Sequence, residues 1–202
     1  MISLGDSSRM KQFFGAALCL SFLVFAPLRA AQAYVYIHND AEYSIDLPEP
    51  PKAATIWADQ EDPIPYLENP PKYGFVGEHA WLKRADNDTG DVFSVDITFL
   101  KADRDFLLSL DKDKMLGAMN DFYKDVSLDN KEEHFSAGTD TLKWATVTGF
   151  SVDKANSLHY NAAHYLTGLD SIMVIRVDYN VENQTFQKYY DTLAKSIKYA
   201  GK

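Results

Sequence analysis

Five histidines, a cluster of aspartates and a high aromatic content are the groups in this 202-residue chain that could do chemistry. The histidines are His38, His79, His134, His159 and His164. They could ligate a metal or carry protons near neutral pH. His159 and His164 fall five positions apart on one predicted strand, where successive side chains alternate between faces, so they point apart and cannot chelate a common ion. No His-Glu-x-x-His run is present, and the single cysteine, Cys19, lies in an N-terminal apolar stretch where it cannot complete a zinc set. The histidines therefore predict no metal site. Asp86-Asn87-Asp88-Thr89-Gly90-Asp91 has the look of a calcium loop, but glycine stands fifth instead of sixth and position twelve is Ile97 instead of glutamate. A looser Ca²⁺ site at Asp86, Asp88 and Asp91 is the alternative to a plain hairpin turn.

Other reaction classes find less. There is no Gly-x-Ser-x-Gly elbow, no phosphate-binding P-loop and no Gly-x-Gly-x-x-Gly fingerprint. Glu132 and Glu133 are neighbours on a predicted strand and face opposite ways, so they cannot work as an acid–base pair. The chain thus leans away from catalysis, and no cofactor is expected. Rings remain. Phe75, His79 and Trp81 share one face of their strand, and His159, Asn161 and Tyr165 share a face of theirs. If these faces meet, with His164 nearby, they make an aromatic pocket with a few polar groups, suited to a small-molecule binding protein or a hydrolase. The alternative is a packed core.

Of eight prolines, seven fall between Pro48 and Pro71, together with Trp57, Asp59, Glu61 and Asp62. Proline removes backbone donors and fixes φ, so residues 48–72 are expected to be irregular apart from a short strand at 54–57. Such a segment in a compact domain either binds something or covers a sheet edge. The leading expectation is a protein-partner surface that includes Trp57, Asp59, Glu61 and Asp62.

These groups need a scaffold, and the chain supplies one. Residues 1–33 read as a secretory signal peptide: Arg9 and Lys11, an apolar run over 13–28, then Ala31-Gln32-Ala33 as the cleavage motif. Arg9, Lys11, Arg29 and Asp6 leave with it, which moves the net charge from −9 to −11. So acidic a chain is not expected to bind nucleic acid or an anionic membrane surface. The remainder, 34–202, is expected to be one domain in the periplasm or outside the cell, with a protein partner there or a small ligand.

Along that domain, Tyr43, Ile45 and Leu47 alternate with polar residues and stop at Pro48, which predicts a half-buried strand after a short one at 34–37. Strands follow at 73–83 and 91–100, the second with Phe93, Val95, Ile97 and Phe99 on one face. A helix is expected over 111–126 from the spacing of Met115, Leu116, Met119, Phe122, Tyr123 and Val126. Four strands then form a meander at 132–137, 142–152, 158–167 and 171–179, separated by turn-forming residues. Phe186, Tyr189, Tyr190, Leu193 and Ile197 make the apolar stripe of a closing helix. The fold class is α+β: an antiparallel sheet flanked by two main helices.

With the elements placed, the chain resembles the PsbP-like family, named for an extrinsic subunit of photosystem II. The similarity lies in Tyr43-Ser-Ile-Asp-Leu-Pro48 after a leader, the proline-rich second segment, the hairpin, the helix from Lys112, the meander and the closing Ser196-Ile197-Lys198. The resemblance covers nearly the whole mature chain and implies an α/β/α sandwich with a binding or assembly role and no catalysis. It transfers no functional residue to a position in this sequence.

Overall fold

The computed structural model describes residues 34–37, 43–57 and 75–199. Its main feature is a seven-stranded antiparallel sheet built from β3 (Lys52–Trp57), β4 (Phe75–Ala85), β5 (Val92–Lys101), β6 (Asp129–Ala137), β7 (Lys143–Val152), β8 (Leu158–Thr167) and β9 (Ser171–Asn180), in the order β3-β4-β5-β9-β8-β7-β6. The strictly alternating β5 buries Phe93, Val95, Ile97 and Phe99, and leaves Ser94, Asp96 and Thr98 half-buried on the other face. The continuous apolar run of β9 sits at the centre, between β5 and β8, and is buried on both faces. That is where an unalternating strand belongs. The outer strand β6 is exposed and rich in charge, which discourages pairing with a further strand.

Two short helices cover one face. α1 (Arg104–Ser109) and α2 (Lys112–Asp121) are capped by Asp103 and Asp111, whose carboxylates accept from the amides of Phe106 and Lys114 at 2.8 and 2.9 Å. They bury Leu107, Met115, Leu116 and Met119 against Ala145, Ala163, Tyr165 and Val174 of the sheet. Lys143 Nζ reaches from β7 to the open carbonyls at the end of α1, donating to Leu107 at 2.8 Å and also to Leu110. On the opposite face α3 (Gln184–Ser196) buries Phe186 and Leu193 with Val95, Ile97, Ile175 and Val177. It shares that face with a small sheet of β1 (Tyr34–Ile37), β2 (Tyr43–Leu47) and β10 (Lys198–Tyr199), in the order β1-β2-β10. The expected sandwich is thus matched in part. Antiparallel strand dominates, and one covering layer is a helix together with a second sheet.

The structure departs from the periodicity in three places. The helix expected over 111–126 stops at Asp121; the following amides of Tyr123 and Val126 bond three residues back, to Asn120 and Tyr123, and Val126 is exposed. Phe122 and Tyr123 still pack on the core from this turn, which is why their spacing imitates a helix. α1 and β10 were not legible. Six and two residues are too few to show a period. The proline-rich segment contains a strand two residues longer at its start than the expected 54–57, and a register shift falls at Ile56/Trp57, beside Gly77 of β4.

Gly117 lies inside α2 with nothing within 4 Å of where a side chain would start. Gly117→Ala is therefore expected to raise stability by about 0.5–1 kcal/mol, read from urea denaturation.

Candidate functional site

Strand register decides which of the predicted site residues can meet. His79 pairs with Thr98, Thr98 with Val174 and Val174 with Tyr165, so these four form one row across the sheet. Trp81, Asp96, Arg176 and Ala163 form the next. Residues directly opposite share a face, so His79, Trp81, His159, Asn161 and Tyr165 all lie on the face covered by α2. His79 is nevertheless three strand spacings from Tyr165, about 14 Å. His164, one residue before Tyr165, points to the α3 face. The six of these residues whose side chains are described, His79, Trp81, His159, Asn161, His164 and Tyr165, therefore do not line one pocket. Trp57 closes β3 with its side chain outside the described residues, and Asp59, Glu61 and Asp62 also lie outside them.

On the α2 face the histidines are held by carboxylates. His79 stacks on Trp81 with ring centroids 5.3 Å apart, and its Nε2 lies 3.2 Å from Asp96. His159 is gripped at both nitrogens: Nδ1 is 3.1 Å from Asp178 and Nε2 is 3.5 Å from Asp153. Asn161 donates to Ser151 Oγ at 2.8 Å. Tyr165 is fully buried beneath the helices, which pushes its phenol pKa up. Between the two histidine pairs, Ser94, Asp96, Tyr123, Asn161, Arg176 and Asp178 line a cavity of about 70 Å³. Burial raises the Asp178 pKa, with His159 opposing the shift. The Arg176 guanidinium covers the Phe122 ring at 4.9 Å. A cavity this small admits solvent but no metabolite.

The Asp86–Asp91 loop is a hairpin turn. Asp86 accepts from the amides of Asp88 and Thr89, and Gly90 takes the left-handed conformation at φ 77°. The Asp86 and Asp91 carboxylates accept from Asn183 and Asn180, both at 2.9 Å, which ties the hairpin to the start of α3. These bonds hold the Asp86 carboxyl below its ordinary pKa. Among the described residues no three His, Cys, Asp or Glu side chains are placed to hold a metal ion.

The α3 face carries the larger concavity. Phe150, Tyr160, Tyr179 and Tyr190 line a cleft of about 250 Å³ between the helix and the strand ends, with Gln187 and Asp191 exposed at its rim. The Tyr160 ring is the hub, with centroids 5.4 Å from Phe150, 5.5 Å from Tyr179 and 5.0 Å from Tyr190. Burial raises the Tyr179 and Tyr190 pKa values, so both phenols are neutral at physiological pH. Deeper under α3, His164 is buried beside Tyr190, with ring centroids 6.3 Å apart. Its Nδ1 is 3.1 Å from Thr146 Oγ1, and burial pushes its pKa down to about 4. Among the described residues, His164 Nε2 and Trp144 Nε1 have no hydrogen-bond partner.

Sequence reasoning made none of the cleft residues a site residue, and gave Tyr190 to the apolar stripe of the closing helix. The signal lay in register: counting back from the Gly168 turn sets Tyr160 opposite Tyr179, and counting back from the Asp153 turn sets it opposite Phe150.

No protein-family model matches this chain, and no curated protein does. Among solved structures, the chain is similar to cyanobacterial PsbP from Synechocystis sp. PCC 6803, at 16% identity and a TM-score of 0.50, over 84% of this chain and 93% of that one. A second match is LpqN, involved in cell envelope biogenesis of Mycobacterium tuberculosis, at 14% identity and a TM-score of 0.34, over 83% of this chain and 90% of that one. The chain has a PsbP-like fold.

Proposed function

We propose that this protein is exported and acts by binding, as an accessory or assembly factor without catalysis. Residues 1–33 are its signal peptide, and the domain from 34 onward, an α/β/α sandwich of the PsbP kind, works in the periplasm or outside the cell. One observation carries the reading. β3 is the outermost strand of the large sheet, with Lys52 to Thr55 exposed, and it leads directly into the proline-rich, acidic stretch. An exposed strand edge offers backbone donors and acceptors to a partner, and the side chains beyond it supply selectivity. The contact surface runs over 48–72 and includes Trp57, Asp59, Glu61 and Asp62.

In-cell crosslinking of the tagged protein, followed by mass spectrometry, is expected to recover one dominant partner joined through 48–72. Replacing Trp57, Asp59, Glu61 and Asp62 together with alanine is expected to lose that partner while the melting temperature stays nearly unchanged. A large fall in melting temperature would instead assign the segment to structure and sink the reading.

A second reading, a small-molecule binding protein, is favoured by the 250 Å³ aromatic cleft. Its hydrolase form has no support from the histidines, two of which are held by carboxylates and one buried under α3.

A further inference from the structure

We propose that the cleft beside α3 binds a small organic cation of the trimethylammonium type, with Asp191 as its counter-ion. The inference rests on the small-molecule reading and names the chemistry of the ligand. Four rings, from Phe150, Tyr160, Tyr179 and Tyr190, converge on the cleft. Aromatic rings attract a cation through their negative faces, and a cleft lined by four of them suits a weakly hydrated alkylammonium better than a strongly hydrated metal ion.

Charge points the same way. The lining holds one carboxylate and no basic side chain. Burial raises the Tyr179 pKa first, and the Asp191 charge adds to it in the same direction. An anionic ligand would therefore meet a negative rim on a chain that is already acidic. Elsewhere the protein covers its rings with its own guanidinium groups: Arg84 lies 5.1 Å from the centre of Tyr189, and Arg176 covers Phe122. Among the described residues, no such cation sits on the four rings of the cleft. A volume of about 250 Å³ suits a compact head of a few carbons.

The cation could be a free solute or the headgroup of a choline lipid, and the test separates them. The full exported protein is titrated calorimetrically with choline and with its uncharged isostere 3,3-dimethyl-1-butanol, and then floated with phosphatidylcholine vesicles. Choline is expected to bind at least about 10-fold more tightly than the isostere. Asp191→Asn, at the exposed rim, is expected to weaken choline about 5-fold and leave the isostere unchanged. Tyr190→Leu is expected to abolish both, and if that variant fails to fold, Asp191→Asn still decides. Flotation that free choline reverses would assign the cation to a lipid; choline binding without flotation would assign a solute. Equal affinity for choline and isostere would overturn the cation while sparing a small-molecule site. Binding of neither would overturn both.

Discussion

Gly77→Ala is expected to cost about 3 kcal/mol or more, because its added methyl meets the closest obstacle of any described glycine. A Cβ at that position would stand 2.0 Å from the backbone oxygen of Phe99 and 2.9 Å from the Leu100 side chain. Most overpacked sites recover by turning a flexible neighbour aside. Here the obstacle is the main chain of β5, which is bonded to β9 through eight residue pairs and cannot retreat without taking the central strand with it. The relief must come from β4, which lifts off β5 and carries the β3 edge with it. Urea denaturation measures the loss, and Gly117→Ala is the control. A cost below about 1 kcal/mol would mean that β4 relaxes freely, and would contradict the close approach of the two strands.

The second large effect depends on pH. The folded protein keeps His164 neutral down to about pH 4, whereas the unfolded chain takes the proton near 6.5. Between those values the unfolded state binds more protons, so acid favours unfolding; above 6.5 both states are neutral there and the contribution vanishes. The penalty is about 2 kcal/mol at pH 5 and about 3 kcal/mol at pH 4. His164→Phe removes it. The wild type is expected to lose about 2 kcal/mol more than this variant between pH 7.5 and pH 5. Parallel stability–pH curves for the two proteins would show that His164 is not held neutral.

How much of this was visible in the residues follows from what periodicity can encode. β5 and β9 were legible because alternation and a continuous apolar run each have one geometric meaning. So was α3, whose stripe of Phe186, Tyr189, Tyr190 and Leu193, continued by Ile197 just past its end, is long enough to fix its orientation. The turn residues were also right: Asp140 and Asn156, in two of the meander's expected turns, adopt the left-handed conformation at φ 60° and 66°. The site was less legible, for a different reason. Alternation gives the face of a side chain on its own strand, but not how many strands separate it from another. His79 and Tyr165 were rightly given to strand faces, and the two faces coincide, yet β5 and β9 intervene. The cleft was hidden because its rings come from β7, β8, β9 and α3, and only cross-strand register brings them together.

The two-residue strand β10 has a consequence for the order in which the molecule can assemble. It pairs Lys198 with Ser44 and Tyr199 with Tyr43, and beside it Ser196 Oγ accepts from the Asp46 amide, a contact spanning 150 residues. The buried Ile45 and Leu47 of β2 rest in the same core as Phe186, Leu193 and Ile197, so their cover is made almost last. Closing so long a loop is slow, because the entropy of joining distant segments is lost before any packing is gained. A chain threaded through a membrane from its N-terminus would deliver β1 and β2 first and hold Ile45 and Leu47 without their α3 cover until the helix arrived. During that interval Tyr43, Ile45 and Leu47 are what a holding chaperone would meet, and the waiting time is set by the length of the protein and not by the strength of the strand.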